Sequence, residues 1–432
     1  MDLLTGKRCA KACIAASVLL STSSAFGVEA RVYQLENGGA IAPHLRVELG
    51  QDDNPLRGEN GSEASAFLTI EPDVKYIVQR RNNTLTLGYT GQYLQYFDQF
   101  CSDPVNSGFG NTVDRPGDCF STASQSSDKA SYQNHSFGLS GYLEISRRAR
   151  ATLDVSTSIF NQPLGTGLSS FDSVLAQLRE PDSFVRNVVR AGFSYGASQA
   201  RGELRFALDI RDRNFRDNGG RDLSNVGERI FQPSTSIFYR IGSRTQVFAG
   251  LGAGDVSGGN SERSIQRTFV GVEFDASAIT SGSIRVTDVR EDFDVETRGD
   301  LNYTGFDVDL TWRPRRFSTV KIGGGRESER ATLTEALSIT TSLDVEWLHY
   351  WRDRFSTEVN FEVQRNESTG QIVNNDANDR TNLLRLEGNY NLRRWLDVGA
   401  FVQNEDRTGE NANGESRAYS RTLVGLTANG TF

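Results

Sequence analysis

Charged side chains recur at every second position along several long segments, and they are the residues of this sequence best placed to do chemistry. Between residues 203 and 211, Glu203, Arg205, Asp209 and Arg211 occupy odd positions, and every even position is apolar. Alternate residues of an extended strand point to opposite faces of a sheet. Such a segment therefore presents one charged face and one apolar face.

The same alternation continues through the chain and predicts one continuous charged surface. Among the residues expected to line this surface, acidic ones outnumber basic ones two to one, so the surface should admit neutral or cationic solutes more readily than polyanions. Alternatively, the charges simply satisfy one another across strands, which is the more frequent role of any single member. The residues expected to line this surface are Asp154, Arg190, Glu203, Arg205, Asp209, Arg211, Glu273, Asp275, Arg285, Asp307, Asp309, Lys321, Asp344, Glu346, Glu358, Glu362, Arg385 and Glu387.

Residue types that support catalysis or cofactor binding are scarce. The chain has only 3 histidines, and no serine stands in a nucleophile-elbow motif. Gly250, Gly252 and Gly254 resemble a phosphate-binding loop in composition, but they occupy alternate positions of a predicted strand with no helix after them. We therefore expect no catalytic residue, no metal site and no cofactor, and we expect these glycines to relieve crowding on the charged face.

The cysteines divide into two pairs. Cys9 and Cys13 lie in the N-terminal segment, and Cys101 and Cys119 lie in one polar loop. A pair of cysteines in a secreted protein most simply forms a disulfide. We expect a Cys101–Cys119 disulfide, with metal binding or redox chemistry as the minor alternative.

Two other polar loops have recognisable features. Residues 52–54, Asp-Asp-Asn, are expected to form a solvated loop, with surface calcium binding as the alternative. Residues 171–180 are the one stretch with helical character, because Asp172 suits an N-cap and Pro181 would end the helix. This helix either folds inward and narrows a pore or rests on the outer rim.

The N-terminal segment has the order of a secretory signal. Lys7, Arg8 and Lys11 precede an apolar run over 14–20, and small residues follow up to residue 27. We expect a signal peptide at 1–27, a periplasmic N-terminal segment at 28–41 and a β-barrel at 42–432. The net charge of -8 disfavours nucleic acid as a partner.

The elements that must position the charged face are β-strands. The pattern predicts an all-β, transmembrane, antiparallel outer-membrane barrel, because lipid-facing strands need only one apolar residue in two. A soluble β-sandwich or β-helix is the alternative. The predicted strands cover about 42–50, 64–79, 83–97, 131–147, 150–161, 184–197, 200–212, 227–241, 244–255, 264–279, 282–293, 302–313, 317–326, 333–350, 354–366, 380–392, 395–405 and 418–432.

The connections between these strands alternate between short turns and long polar loops. In outer-membrane barrels the short turns lie on the periplasmic side and the long loops outside. Trp312, Trp347, Trp351 and Trp395 all fall near short turns, as expected for an aromatic belt at the membrane interface. The location predicted is the outer membrane of a Gram-negative bacterium.

The last strand remains patterned to the final residue. Phe432 shares its parity with Val424 and Leu426, which predicts a lipid-facing aromatic terminus at the periplasmic rim. A terminal aromatic residue is similar to the signal that the barrel-assembly machinery reads. Outer-membrane lipids and that machinery are the partners expected for the barrel itself.

The two ends of the predicted barrel resemble a known family. Pro43 opens the first strand, Asp-Asp-Asn follows at 52–54, and Pro72 lies within the second strand. The segments 395–408 and 422–432 are similar to that family's closing hairpin. These features resemble the putative β-barrel porin type 2 family, although Gln51 stands where an aromatic residue is expected.

The resemblance implies an outer-membrane pore that takes part in the export or assembly of a secreted exopolysaccharide. Periplasmic polysaccharide-export proteins would then be partners, and polysaccharide or small sugars would be the transported substrate. Two alternatives stay open from the residues alone. One is a general or sugar-selective diffusion porin, and the other is a structural or adhesive surface barrel with a blocked lumen.

Overall fold

A computed structural model provides the coordinates of the protein. It describes residues 32–36, 38–59, 64–97, 130–166, 181–197, 200–218, 223, 226–258, 262–275, 279–294, 300–329, 338–368, 377–410, 416 and 418–432. Cys101, Cys119 and the predicted helix at 171–180 lie outside these residues. In the part of the chain that is described, no helix has the length and apolar character needed to cross a membrane.

All regular elements in the described ranges are β-strands, and most are 12 to 17 residues long. Their bounds are β1 Tyr33–Gln34, β2 Gly39–Asp52, β3 Ser65–Arg80, β4 Asn83–Tyr96, β5 Tyr132–Glu144, β6 Ala149–Gln162, β7 Asp182–Tyr195, β8 Gly202–Phe215, β9 Glu228–Arg240, β10 Thr245–Ser257, β11 Arg263–Phe274, β12 Thr280–Phe293, β13 Leu301–Arg315, β14 Ser318–Glu329, β15 Ser338–Arg352, β16 Phe355–Ser368, β17 Ala377–Arg393, β18 Leu396–Glu410 and β19 Tyr419–Thr431.

Strands β2 to β19 form a closed antiparallel barrel. Each pairs with its neighbours in the sequence, and β19 pairs with β2, where Leu426 lies opposite Leu49. Closure leaves no edge strand with unpaired backbone groups, which a membrane requires. The two-residue β1 pairs with the first residues of β2, which β19 does not reach. The fold class predicted from the sequence, an antiparallel barrel of 18 strands, is confirmed.

The two faces of the sheet differ as the alternation predicts. Ile237 and Leu426, which are 64% and 63% exposed, lie on the outer face. The outer face becomes polar near the long loops: on β18, the outward positions after Val402 are Asn404 and Asp406. A span needs only about 9–11 residues, so the strands extend beyond the apolar band at this end.

Most predicted strand boundaries differ from the observed ones by only a few residues. β2 begins at Gly39, inside the segment expected to precede the barrel, because β1 and β3 both pair with its first residues. β15 is described from Ser338, and its predicted start at 333 lies outside the described ranges. Strand identity is therefore easier to predict than strand ends.

Aromatic side chains cluster at the end of the barrel that carries the short turns, called here the short-turn end. Trp312 and Trp351 are exposed on the outer face, and Trp395 is exposed in the turn between β17 and β18. The indole N–H of Trp347 donates to the Ser318 hydroxyl at 3.0 Å. The Phe432 ring is 46% exposed and lies 6.0 Å from the Trp395 ring. The side chains predicted for an aromatic belt thus lie at one end of the barrel.

Removing the Phe432 ring should reduce barrel assembly more than it reduces the stability of assembled protein. The side chain contacts the barrel only at its rim, so few packing contacts are lost. We expect Phe432→Ala to lower the fraction of folded, heat-modifiable protein in cell envelopes and Phe432→Tyr to retain it. Equal folded fractions for wild type and Phe432→Ala would contradict an assembly role.

Candidate functional site

The candidate site is the inner wall of the barrel. Register places the charged residues predicted for this wall on the face opposite the exposed apolar side chains: Arg190 lies opposite Asp209, and Arg285 lies opposite Asp307. Asp344 likewise lies opposite Glu362. Asp275 follows the last residue of β11 and lies at the short-turn end. The inner wall therefore carries charged residues on β7, β8, β12, β13, β15 and β16.

One ion-pair network crosses the seam where the chain closes. The Arg46 guanidinium on β2 lies 2.7 Å from Glu48 and 2.7 Å from Glu387, which belongs to β17. Arg385 contacts the same two carboxylates, at 2.7 and 3.0 Å. These pairs span β18 and β19, which lie between β17 and β2 in the sheet. Charges that neutralise one another in this way leave a polar wall with little net charge.

A second network lies near the short-turn end of β6 to β11. Arg150 and Arg205 each approach the Glu203 carboxylate to 2.6 Å. Arg205 also reaches Glu273 on β11 at 3.2 Å, and the Gln246 amide donates to Glu273 at 2.6 Å. The network therefore crosses β9 and β10 along the inner wall.

Charge is distributed unevenly around the wall. On β7 and β8, Arg190 and Arg211 both contact Asp209, so positive charge is in excess there. On β13, β15 and β16, Asp309, Asp344 and Glu362 form no ion pair within the described residues. Strand β16 lies nine places from β7 in the ring of β2 to β19, so the acidic residues of β15 and β16 lie across the barrel from the basic residues of β7 and β8. A solute in the barrel experiences a transverse field.

Aromatic rings also face the interior, a feature that the sequence interpretation missed. Phe238, Phe248 and Phe269 lie on the inner face of β9, β10 and β11, and the Phe238 and Phe248 rings are stacked at 4.7 Å. Phe269 lies over Gly250, so this glycine relieves crowding as predicted. The detectable signal was that these rings fall on the same alternate strand positions as the polar residues Gln246 and Glu273.

The prediction of a solvated loop at 52–54 is wrong for Asp52 and Asn54, which are buried, whereas Asp53 is exposed. Asp52 is fully buried, and its carboxylate accepts hydrogen bonds from Arg421 at 2.9 Å and from the Tyr96 hydroxyl at 2.7 Å. Arg421 also contacts Glu405 at 3.1 Å. Because these partners come from β4, β18 and β19, local sequence could not reveal the burial.

Two loop segments pack onto this buried cluster at the long-loop end. Leu164, just after β6, packs in a hydrophobic cluster with Phe67 and Phe401. The Gly165 carbonyl lies 3.5 Å from the Arg407 guanidinium on β18. The first residues of the loop after β6 therefore lie inside the barrel opening. The predicted helix at 171–180 lies outside the described residues, so both of its alternatives stay predictions.

Arg57 connects the two loops. Its backbone has φ 56°, which is unusual for a residue other than glycine, and its side chain lies 3.2 Å from Glu405. Gly165, at φ 77°, packs against Arg57 so closely that a Cβ would meet the Arg57 backbone or Cβ. Strained backbone persists only where the surroundings fix it, so this contact is a rigid part of the opening.

The ionisation of Arg57 is secured by its surroundings. Burial, the largest influence, and the nearby Arg421 act to lower the pKa of Arg57, whereas Glu405, Tyr419 and Tyr96 act to raise it and together outweigh them. The pKa of Arg57 is consequently raised above its ordinary value. The loop stays tied to the wall at any physiological pH.

Sequence analysis identified only part of the charged wall. The residues that it missed lie mostly near strand ends or beside prolines and glycines, where alternation is harder to read. They contribute positive and negative charge in nearly equal measure, so the wall is less acidic than the predicted set. The missed residues include Arg46, Glu48, Arg150, Arg213, Glu228, Arg263, Glu291, Asp379, Glu405, Arg407 and Arg421.

Most of the sequence matches one protein family. The sequence profile described as "Putative beta-barrel porin 2" matches residues 40–430. The chain belongs to this family. In this β-barrel porin 2 protein, the matched region coincides with the barrel formed by β2 to β19. No protein of curated function matches the chain.

The β-barrel porin 2 fold is also similar to solved barrels. Pseudomonas aeruginosa OccK9 (OpdG) is 11% identical, with 92% of this chain and 99% of that chain covered and a TM-score of 0.43. The Acinetobacter baumannii siderophore receptor PirA is 8% identical, with coverages of 91% and 80% and a TM-score of 0.39. A bacterial polysaccharide outer membrane secretin is 11% identical, with coverages of 90% and 98% and a TM-score of 0.32.

Proposed function

We propose that this barrel is an outer-membrane pore through which a secreted, largely uncharged exopolysaccharide passes. The observation that carries the proposal is the polar inner wall, whose arginines are mostly paired with carboxylates across one or more strands. Paired charges still offer hydrogen-bonding groups to hydroxyls, but they attract a counter-ion only weakly. Such a wall suits a neutral, hydroxyl-rich polymer.

Membership of the chain in a porin family supports a pore. We further propose the direction of transport and the class of substrate. We assign the short-turn end to the periplasm and the long-loop end to the cell exterior, following the asymmetry of outer-membrane barrels. A polymer made inside the cell would then enter past Arg150 and Glu203 and leave past Arg57 and Arg421. Periplasmic export proteins would dock at the short turns.

Deleting the gene should abolish polymer secretion and trap polymer in the periplasm. The test is quantitative measurement of neutral sugar in the medium and in the periplasmic fraction, with complementation by the wild-type gene. Normal secretion by the deletion strain would refute export.

A variant with a narrowed barrel interior should fail to restore polymer secretion to the deletion strain. Gly88 and Gly138 lie opposite one another on the inner face, and a Cβ at either has no neighbour closer than 3.9 Å. We expect Gly88→Trp with Gly138→Trp to fold normally but to lower polymer secretion and single-channel conductance severalfold. Gly141→Trp on the lipid-facing side of β5 is the matched control and should complement fully.

A diffusion porin for small sugars is the second candidate. Leu164 and Arg57 favour it, because their loops occupy the long-loop end and reduce the opening available to a polymer. Liposome swelling distinguishes the two functions. Rapid entry of free mono- and disaccharides together with normal polymer secretion in the deletion strain would establish the diffusion porin.

A further inference from the structure

We propose that Phe248 and Phe269 form a stacking site for a sugar ring on the inner wall of the barrel. The inference rests on the proposed passage of polysaccharide and names the surface that the polymer touches. The ligand class is an uncharged oligosaccharide. Its apolar C–H face would lie on the two rings and its hydroxyl groups would meet the polar residues around them.

The geometry of β10 and β11 holds both rings against the wall. Phe248 lies directly opposite Gly271, and Gly250 lies directly opposite Phe269. A Cβ at either glycine would collide with the facing ring, so each ring rests on bare backbone. The Phe248 and Phe269 centroids are 6.2 Å apart with the planes at 61°. The two half-buried rings form one continuous apolar surface.

Polar groups border this surface on both sides. Arg205 covers the third ring, Phe238, with its guanidinium carbon 3.5 Å from the ring centroid, and it holds Glu273 at 3.2 Å. On the other side, Arg285 lies 5.7 Å from the Phe269 centroid and 2.7 Å from Asp307. Ligand sites combine apolar surface with a few fixed polar groups that set orientation. A pyranose ring matches this pattern, because one face is apolar and the edge carries hydroxyls.

Glycine packing alone does not explain why these rings face the interior. The same cross-strand arrangement occurs where Phe67 faces Gly50 and where Phe401 faces Gly425. Those rings are only 2% and 4% exposed, because other side chains cover them. The Phe248 and Phe269 rings, in contrast, remain half-buried. The wall therefore keeps this pair open to solutes.

The position of the pair fits a polymer that enters from the short-turn end. Phe248 is the fourth residue of β10, which begins at a short turn, and Phe238 is two residues from the end of β9. An entering chain would meet the rings before it reached the loops at the opposite end. Stacking there would orient the chain along the wall at little cost in mobility, because a flat aromatic face does not require one fixed sugar orientation.

The test measures oligosaccharide binding by the full-length protein reconstituted in planar bilayers. Maltohexaose and cellohexaose are added separately to each side, and the binding constant is taken from interruptions of the ion current. We expect both sugars to interrupt the wild-type current. Phe248→Leu with Phe269→Leu should weaken binding about tenfold, equivalent to about 1.4 kcal/mol, without changing the sugar-free conductance.

Three controls make the result specific. Phe248→Tyr with Phe269→Tyr retains the aromatic faces and should bind as wild type does. Phe401→Leu removes a covered ring over a glycine and should leave binding unchanged. Polyethylene glycol of the same size should interrupt the current of wild type and of the leucine variant equally. Unchanged sugar binding in the leucine variant, or equal interruption by sugar and polyethylene glycol in wild type, would overturn the proposal.

The outcome can be separated from that of the export experiment. If the deletion strain secretes polymer normally while the leucine variant loses sugar binding, the stacking site stands and export fails. If polymer secretion requires the barrel but the leucine variant binds sugar as wild type does, export stands and the stacking site fails.

Discussion

Replacing Arg421 with methionine is expected to lower the free energy of unfolding by about 3–5 kcal/mol. The guanidinium contacts Asp52, Glu405 and the Tyr96 hydroxyl inside the opening, and Asp52 has no exposed surface. Methionine fills the space but leaves two buried carboxylates without their shared cation. Equilibrium urea unfolding of the reconstituted barrel, followed by tryptophan fluorescence, measures the change.

The same substitution should raise conductance. Without Arg421, the carboxylates of Asp52 and Glu405 repel one another, and Arg57 loses the fixed orientation of its partner. Arg290→Met is the matched control, because Arg290 is exposed and its pair with Asp288, at 3.5 Å, lies on the outer face. Exposed pairs contribute about 0–1 kcal/mol. Equal urea midpoints of unfolding for Arg421→Met and Arg290→Met would show that the buried cluster does not hold the opening together.

Neutralising the unpaired acidic wall is expected to shift ion selectivity strongly. Wild-type barrel should favour cations, and Asp309→Asn with Asp344→Asn and Glu362→Gln should lower the cation-to-anion permeability ratio about threefold. Each of these carboxylates lacks an ion-pair partner among the described residues, so its field reaches the solute. Charges at contact distance are worth about 1 kcal/mol each even in water-like surroundings. Reversal potentials in a potassium chloride gradient measure the ratio.

Neutralising the basic residues of β7 and β8 should change the ion selectivity in the opposite direction. Arg190→Gln with Arg211→Gln frees Asp209 from both of its partners and should raise the cation preference. Asp288→Asn, on the outer face, is the control and should leave the cation-to-anion permeability ratio of the wild-type barrel unchanged. An anion-selective wild-type barrel would show that the paired arginines, rather than the free carboxylates, control permeation.

The periodicity of the sequence predicted the barrel because membrane strands obey a strict physical rule. Lipid accepts only apolar side chains, and a sheet places every second residue on the same side. Leu204, Phe206 and Leu208 therefore had to share a face, and Glu203 and Arg205 had to share the other. Boundaries were less certain, since strands such as β18 continue beyond the lipid with polar residues on both faces.

Contacts between distant strands were beyond the reach of periodicity. Arg46 and Glu387 are 341 residues apart, and Asp52 and Arg421 are 369 apart. They meet because the barrel closes between β19 and β2 and because loops turn into the opening. No local pattern encodes either event, so the loop at 52–54 was predicted to be solvated although Asp52 and Asn54 are buried.

The sequence by itself determined that this protein is a barrel, which face is charged, and that tryptophans gather at the short turns. These properties are local, because each strand must satisfy the membrane on its own. Only the tertiary structure decided which charges neutralise one another, which carboxylates remain free, and which phenylalanines pack against one another on the inner wall. Those properties depend on register and closure, which bring together side chains from strands that are far apart in the chain.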